Sequence, residues 1–163
     1  LGVSHVLFRD SGEGWYQNGA AAAADYFRAT AAGYMRSVAL GLSKGAYAAL
    51  MFGQLTPVSE IIALSPVTGV GKDVHPDFDE KWFFRVHHAP NKEPIRDLKP
   101  LYAAGPRARV RAFVGDGAGT ELDAIMVGRC GFAAELVPGA DHASIARVLR
   151  DNGWLARLIQ GDA

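Results

Sequence analysis

Ser43 lies at the centre of Gly41-Leu-Ser-Lys-Gly45, the pattern G-x-S-x-G. The preceding run, Arg36-Ser-Val-Ala-Leu40, is apolar enough for a buried strand, and Ala46 to Phe52 is alanine-rich and suits a helix. A serine between a strand and a helix is a nucleophile elbow. The sharp bend strains the residue at its apex and pushes the hydroxyl out of the sheet; Gly41 and Gly45 are expected to supply the room. The hydroxyl then stands at a helix N-terminus, where free backbone N–H groups, Lys44 among them, can receive a developing oxyanion. The alternative is a tight turn with a capping serine. A histidine and an acid decide between the two.

His142 follows the last strand-like run, in Val137-Pro-Gly-Ala-Asp-His142. A strand-end loop leading into a helix suits a general base, which takes the serine proton on attack and returns it to the leaving group. His5 lies inside a strand-like run, and His75, His87 and His88 fall in the least regular part of the chain. His87 and His88 near Asp77 and Asp79 match no metal-ligand spacing, so no metal is expected. Two carboxylates could orient the imidazole: Asp116, one glycine past a strand, and Asp123, deeper in Glu121-Leu-Asp123. Either has a plainer use, Asp116 as a turn residue and Asp123 in a first helical turn. Asp141 precedes a helix start and reads as its cap.

The elements needed to position these groups can be read along the chain. Strands are expected over 3–9, 36–42, 60–64, 109–114 and 132–137. Helices are expected over 20–35, 44–53, 95–104 (interrupted at Pro100), 121–130, 143–150 and 154–159. Residues 67–80 read as a loop, and 80–88 as either a helix or a strand. Alternation of this kind predicts an α/β fold: a mostly parallel sheet of about five strands, with helices on both faces. Ser43 and the loops after Val114 and Val137 then share the C-terminal edge of the sheet, where ligands gather.

Length and composition set the outer limits. One domain over 1–163 is expected, with 49% hydrophobic and 21% charged residues. The 17 basic residues balance the 17 acidic ones, so charge gives no reason to expect nucleic acid or an acidic membrane as partner. Cys130 is the only cysteine, which excludes an internal disulfide and suits a reducing, cytoplasmic setting. No run is long enough to span a bilayer, and the first residues lack a signal-peptide pattern. Leu1 in place of a methionine is read as a processed or trimmed start, or as part of something longer.

The order Ser43, aspartate, His142 resembles the α/β-hydrolase superfamily, from Phe8 to about Ile159. Phe8 to Tyr16 resembles the loop after the fourth strand of that fold. Gly41 to Leu50 with Ile61 to Pro66 is similar to the elbow and the next strand. Gly115 to Asp123 resembles the acid loop, and Pro138 to Leu149 the histidine loop with the final helix. The resemblance implies a serine hydrolase acting on an ester, thioester or amide through an acyl-enzyme, with transfer to another acceptor as a variant. It favours Asp123 as the acid, with Asp116 in reserve, and implies no cofactor. Oxyanion donors are expected at Lys44 and in the loop of Ser11 and Gly12; Trp15, Tyr16, Trp82 and Phe83 are expected either to wall an acyl pocket or to be core.

Two departures stand out. The early strands of the family core are missing, which predicts a truncated core with an exposed sheet edge that a second copy or a partner chain would cover. The alternative that follows is a non-catalytic binding or assembly domain on the same fold. Lys44 also puts a cation beside the nucleophile, pointing either to an anionic substrate or to solvent. A nucleotide-binding reading fails, because Gly12 and Gly14 lack a third glycine and no Gly-Lys-Ser/Thr loop exists.

Overall fold

The computed structural model describes residues 4–10, 15–17, 19–70, 74 and 95–162. Helix α1 covers Ala20–Ala31 and stops short of Gly33. Strand β1 is Val38–Leu42, helix α2 is Lys44–Leu55, and strand β2 is Glu60–Leu64. In place of the helix expected over 95–104 there is a single 3-10 turn, Lys99–Tyr102. Pro100 stands in the first turn, where its missing N–H is tolerated, and disfavours extension of the helix into the residues before it. Strand β3 is Arg109–Gly115, helix α3 Glu121–Arg129, and strand β4 Ala134–Val137. Helices α4, Ile145–Asp151, and α5, Trp154–Gln160, follow. Gly153, at φ 76°, separates them as Asn152-Gly153 in the sequence predicts.

All pairings are parallel, in the order β1-β2-β3-β4. Four strands are therefore found among the described residues, not five. The difference lies at 4–10, which carries no strand. Its Phe8 ring instead packs 6.2 Å from Tyr26 of α1 and 6.0 Å from Phe52 of α2. Alternating apolar residues suit a strand only where a neighbouring strand takes up their backbone groups.

β2 shows how the layers form. Every one of its residues is buried, and successive side chains point to opposite faces. Ile61 and Ala63 pack with Tyr47, Leu50 and Met126, on the side of α2 and α3. Ile62 and Leu64 pack with Phe113, Ile145, Leu149 and Leu158, on the side of α4 and α5. Each large side chain so buried contributes about 1.5–3 kcal/mol. Close packing of α2 on the sheet needs Gly53, since a Cβ there would stand 2.2 Å from Ile61 Cδ1.

Register brings the functional loops together. Leu42 pairs with Leu64, Leu64 with Phe113, and Gly115 with Val137. Ser43, the turn after Gly115 and the turn after Val137 consequently leave the sheet at one edge.

Candidate active site

Ser43 connects β1 directly to α2. Its backbone is at φ 53°, ψ −114°, a region that L-residues rarely occupy and that costs about 1–3 kcal/mol. Two hydrogen bonds hold it there: its N–H donates to Leu64 O at 2.9 Å, and its carbonyl accepts from Tyr47 N at 3.1 Å. Gly41 makes the bend possible, because a Cβ there would lie 2.0 Å from the Gly45 carbonyl oxygen. Gly45 differs from the expectation. A Cβ at that position meets nothing within 4 Å, so the bend needs only the first glycine of the motif.

His142 is set by two layers of backbone contacts. Within its own turn, Asp141 Oδ1 accepts from Ala143 N at 2.9 Å and from Ser144 N at 2.7 Å, while Ser144 Oγ accepts from Asp141 N at 2.9 Å. This reciprocal bonding fixes the chain on both sides of the imidazole, as a capping box fixes a helix start. From outside, Gly117 N donates to Ala140 O at 3.0 Å, and Asp116 Oδ1 accepts from Gly139 N at 2.8 Å. The β3 turn approaches so closely that a Cβ on Gly115 would sit 2.2 Å from Ala140 O. A side chain there would push the histidine loop away.

The side chains then converge. His142 Nε2 is 2.9 Å from Ser43 Oγ. Its Nδ1 is 2.9 Å from each oxygen of Asp123. Asp123 lies in the first turn of α3, where the helix dipole favours a negative charge, and is only 5% exposed. An ionised Asp123 can only accept, so Nδ1 carries the proton and Nε2 is left to accept from the serine hydroxyl. The hydrogen bond that His142 Nδ1–H donates to Asp123 is the main cause that raises the His142 pKa above its usual value; burial opposes it, and the charges of Asp123 and Asp141 add to it. Ser43 and His142 are half-buried, so the site is open to solvent on one side. The carboxylate facing His142 is that of Asp123, while Asp116 holds a backbone amide and Asp141 caps its own turn.

Other expected residues are placed as follows. Lys44 neither points to solvent nor stands as a lone cation: its Nζ is 2.7 Å from Asp10 Oδ2. Trp15 is 1% exposed and packs edge-on at 5.5 Å against Tyr47, which places it in the core instead of on a pocket wall. Tyr16 is half-buried, and its ring lies 5.8 Å from Lys44 Nζ. Ser11, Gly12, Trp82, Phe83, His75, His87 and His88 lie outside the described residues. His5 is exposed, in the segment 4–10. Among the described residues no three His, Cys, Asp or Glu gather as metal ligands, and no helix is long and apolar enough to cross a membrane.

Two polar contacts near the elbow carry no signal in the sequence. Asp10 pairs with Lys44 from far back in the chain. Tyr47 donates its hydroxyl to Arg96 O at 3.0 Å, and burial pushes its pKa up to about 12, so it stays protonated. The capping pattern Asp141-x-x-Ser144, by contrast, is visible in the sequence.

Ser43, His142 and Asp123 thus form a catalytic-triad arrangement, consistent with a serine hydrolase working through an acyl-enzyme. No protein-family model and no curated protein matches the sequence. Among solved structures, a lipase-esterase related protein from Clostridium acetobutylicum ATCC 824 is similar over 96% of this chain and 78% of its own, at 15% identity and a TM-score of 0.54. At that identity the likeness speaks for the fold alone: a parallel sheet, four-stranded among the described residues, with helices on both faces.

Proposed function

We propose that this chain is a serine hydrolase with Ser43 as nucleophile, His142 as general base and Asp123 as the acid that orients it, working on a small acyl ester, thioester or amide. The observation that carries the reading is the continuous contact from Asp123 through both ring nitrogens of His142 to a strained Ser43. As Ser43 Oγ attacks the carbonyl, its proton passes to Nε2, and Asp123 stabilises the imidazolium. The oxyanion is received by the Lys44 N–H at the start of α2 and by a second N–H from the loop of Ser11 and Gly12. Collapse returns the proton from Nε2 to the leaving group and leaves an acyl-enzyme. Water, deprotonated by the same nitrogen, then releases the acid; an alcohol or amine in place of water makes the reaction a transfer.

Tyr16, Trp82 and Phe83 are the proposed pocket wall, residues 1–163 one domain, and the cytoplasm the proposed setting. A fluorophosphonate probe should label the wild-type protein at Ser43, read by mass spectrometry, and Ser43→Ala should remove the label. Absence of label on the folded wild type would refute the enzyme reading. One observation favours the rival, a binding or assembly domain. β1 has a single sheet neighbour among the described residues, and Leu40 on it is 42% exposed. A second copy or partner chain that pairs along this edge is the form that reading takes.

A further inference from the structure

An ammonium group facing a reactive site attracts negatively charged substrates. Here the Lys44 ammonium is already engaged. Asp10 Oδ2 lies 2.7 Å from Nζ, with the two side chains 11% and 25% exposed. The same Asp10 oxygen accepts from Tyr16 N at 3.3 Å. The ammonium also stands 5.8 Å from the ring centroids of both Trp15 and Tyr16. Trp15 is buried against Tyr47, one turn further along α2, and the Tyr47 hydroxyl lies 3.4 Å from Gln17 Oε1. Lys44 and Tyr47 share one face of α2 and grip the two ends of the 10–17 stretch. The pair is thus built into the wall beside the elbow and is not a loose surface contact. A pair this shielded from water keeps its charges matched more firmly than an exposed one.

We propose that Asp10 sets the charge preference of the site: by neutralising Lys44 it makes the enzyme one for uncharged acyl groups and disfavours acyl groups that carry a carboxylate. The proposal rests on the serine-hydrolase reading and adds the substrate class to it. Chain geometry keeps the ammonium within about 10 Å of the reacting carbonyl. At that range a lone cation near a protein surface shifts the choice between a neutral and an anionic acyl group by about tenfold.

The experiment compares kcat/KM for para-nitrophenyl butyrate and para-nitrophenyl hemisuccinate, which match in length and differ in one carboxylate. Wild type should favour the butyrate. Asp10→Asn should shift the ratio about tenfold toward the hemisuccinate. Adding Lys44→Met to that variant should abolish the shift, and raised salt should shrink it. Lys44→Met alone, which removes the ammonium and keeps the Asp10 carboxylate, should move the ratio the opposite way and serves if Asp10→Asn does not fold. A wild-type preference for the hemisuccinate, or an equal loss on both esters in Asp10→Asn, would overturn the proposal; equal loss is what a purely structural role gives. Fluorophosphonate labelling in parallel separates the two readings. Wild type without label means the serine assignment has failed, whereas labelled protein with an unmoved ratio means only the charge assignment has failed.

Discussion

The two ends of the sheet use the same ingredients for different purposes. At the end where strands begin, Glu60 is 6% exposed and takes Arg36 at 2.6 Å and Arg109 at 3.9 Å. Arg36 also donates to Leu158 O at 3.1 Å and to Ile159 O, closing the last turn of α5 onto the start of β2. At the end where strands finish, Asp123 is 5% exposed and takes His142 at 2.9 Å. The carboxylates are alike in burial, and their nitrogen-bearing partners are alike in exposure, 33% for Arg36 and 38% for His142. What separates them is the proton. A guanidinium keeps its proton at any working pH, so Glu60 and Arg36 can only hold. An imidazole can release its proton, and Nε2 has Ser43 in front of it, so Asp123 and His142 can also transfer. Buried carboxylate pairs therefore say little about function until the partner's proton affinity and its second neighbour are known.

The largest effects should come from exchanging each carboxylate for its amide. Asp123→Asn should lower kcat by about 10⁴-fold with KM and melting temperature little changed, because the imidazole loses the acceptor that fixes its tautomer. Glu60→Gln should leave kcat within a factor of about two and instead cost about 1–3 kcal/mol of stability, since Arg36 loses its charged partner. Steady-state kinetics and chemical denaturation of both proteins check the pair. If Glu60→Gln stays folded and loses turnover, or Asp123→Asn loses stability but not turnover, the division between holding and transferring is wrong.

A smaller effect concerns pH. Contact with Asp123 raises the His142 pKa in the folded chain above its unfolded value. Stability from that contact is fully present below the unfolded pKa, about 6.5, and is lost as pH rises through the folded pKa. Catalysis runs the other way, since the base must be neutral. The acid limb of kcat/KM should therefore lie above pH about 6.5 in the wild type and fall to lower pH in Asp123→Asn. An acid limb unmoved by that substitution would mean that His142 is not the titrating base. At the other end, Glu60→Gln should leave the limb where it is.

How much of this was legible beforehand depends on range. The elbow was legible because strand, bend and helix adjoin in sequence, and Gly41 marks the one place where a Cβ collides with backbone. β2 was legible because four of its five buried residues, Ile61 to Leu64, form a continuous apolar run that suits a strand covered on both faces. The segment 3–9 misled because a strand is a relation between two segments, and among the described residues 4–10 pair with no strand. Lys44 looked like a free cation because Asp10 lies far away in the chain. Residue spacing left the acid open between Asp116 and Asp123; choosing requires the direction in which each side chain leaves its turn, which pattern alone does not carry.

Asp116 provides the finest test of the contrast, because it sits at the reactive end yet makes a holding contact. Its Oδ1 accepts from the Gly139 N–H at 2.8 Å, three residues before His142. The group is exposed, so water competes for both partners and the bond is modest. Asp116→Asn keeps an oxygen able to accept from that N–H, and should leave kcat within about threefold of wild type. Asp116→Ala removes the acceptor and loosens the loop, and should lower kcat by about tenfold at most, with the acid limb unmoved. The two variants should thus rank Asn above Ala, whereas at Asp123 the amide itself should already lose most of the rate. If Asp116→Asn lost as much rate as Asp123→Asn and moved the acid limb, proximity to the reactive edge would matter more than the partner's proton. The line drawn between the two ends of the sheet would then have to be redrawn through the turn after β3.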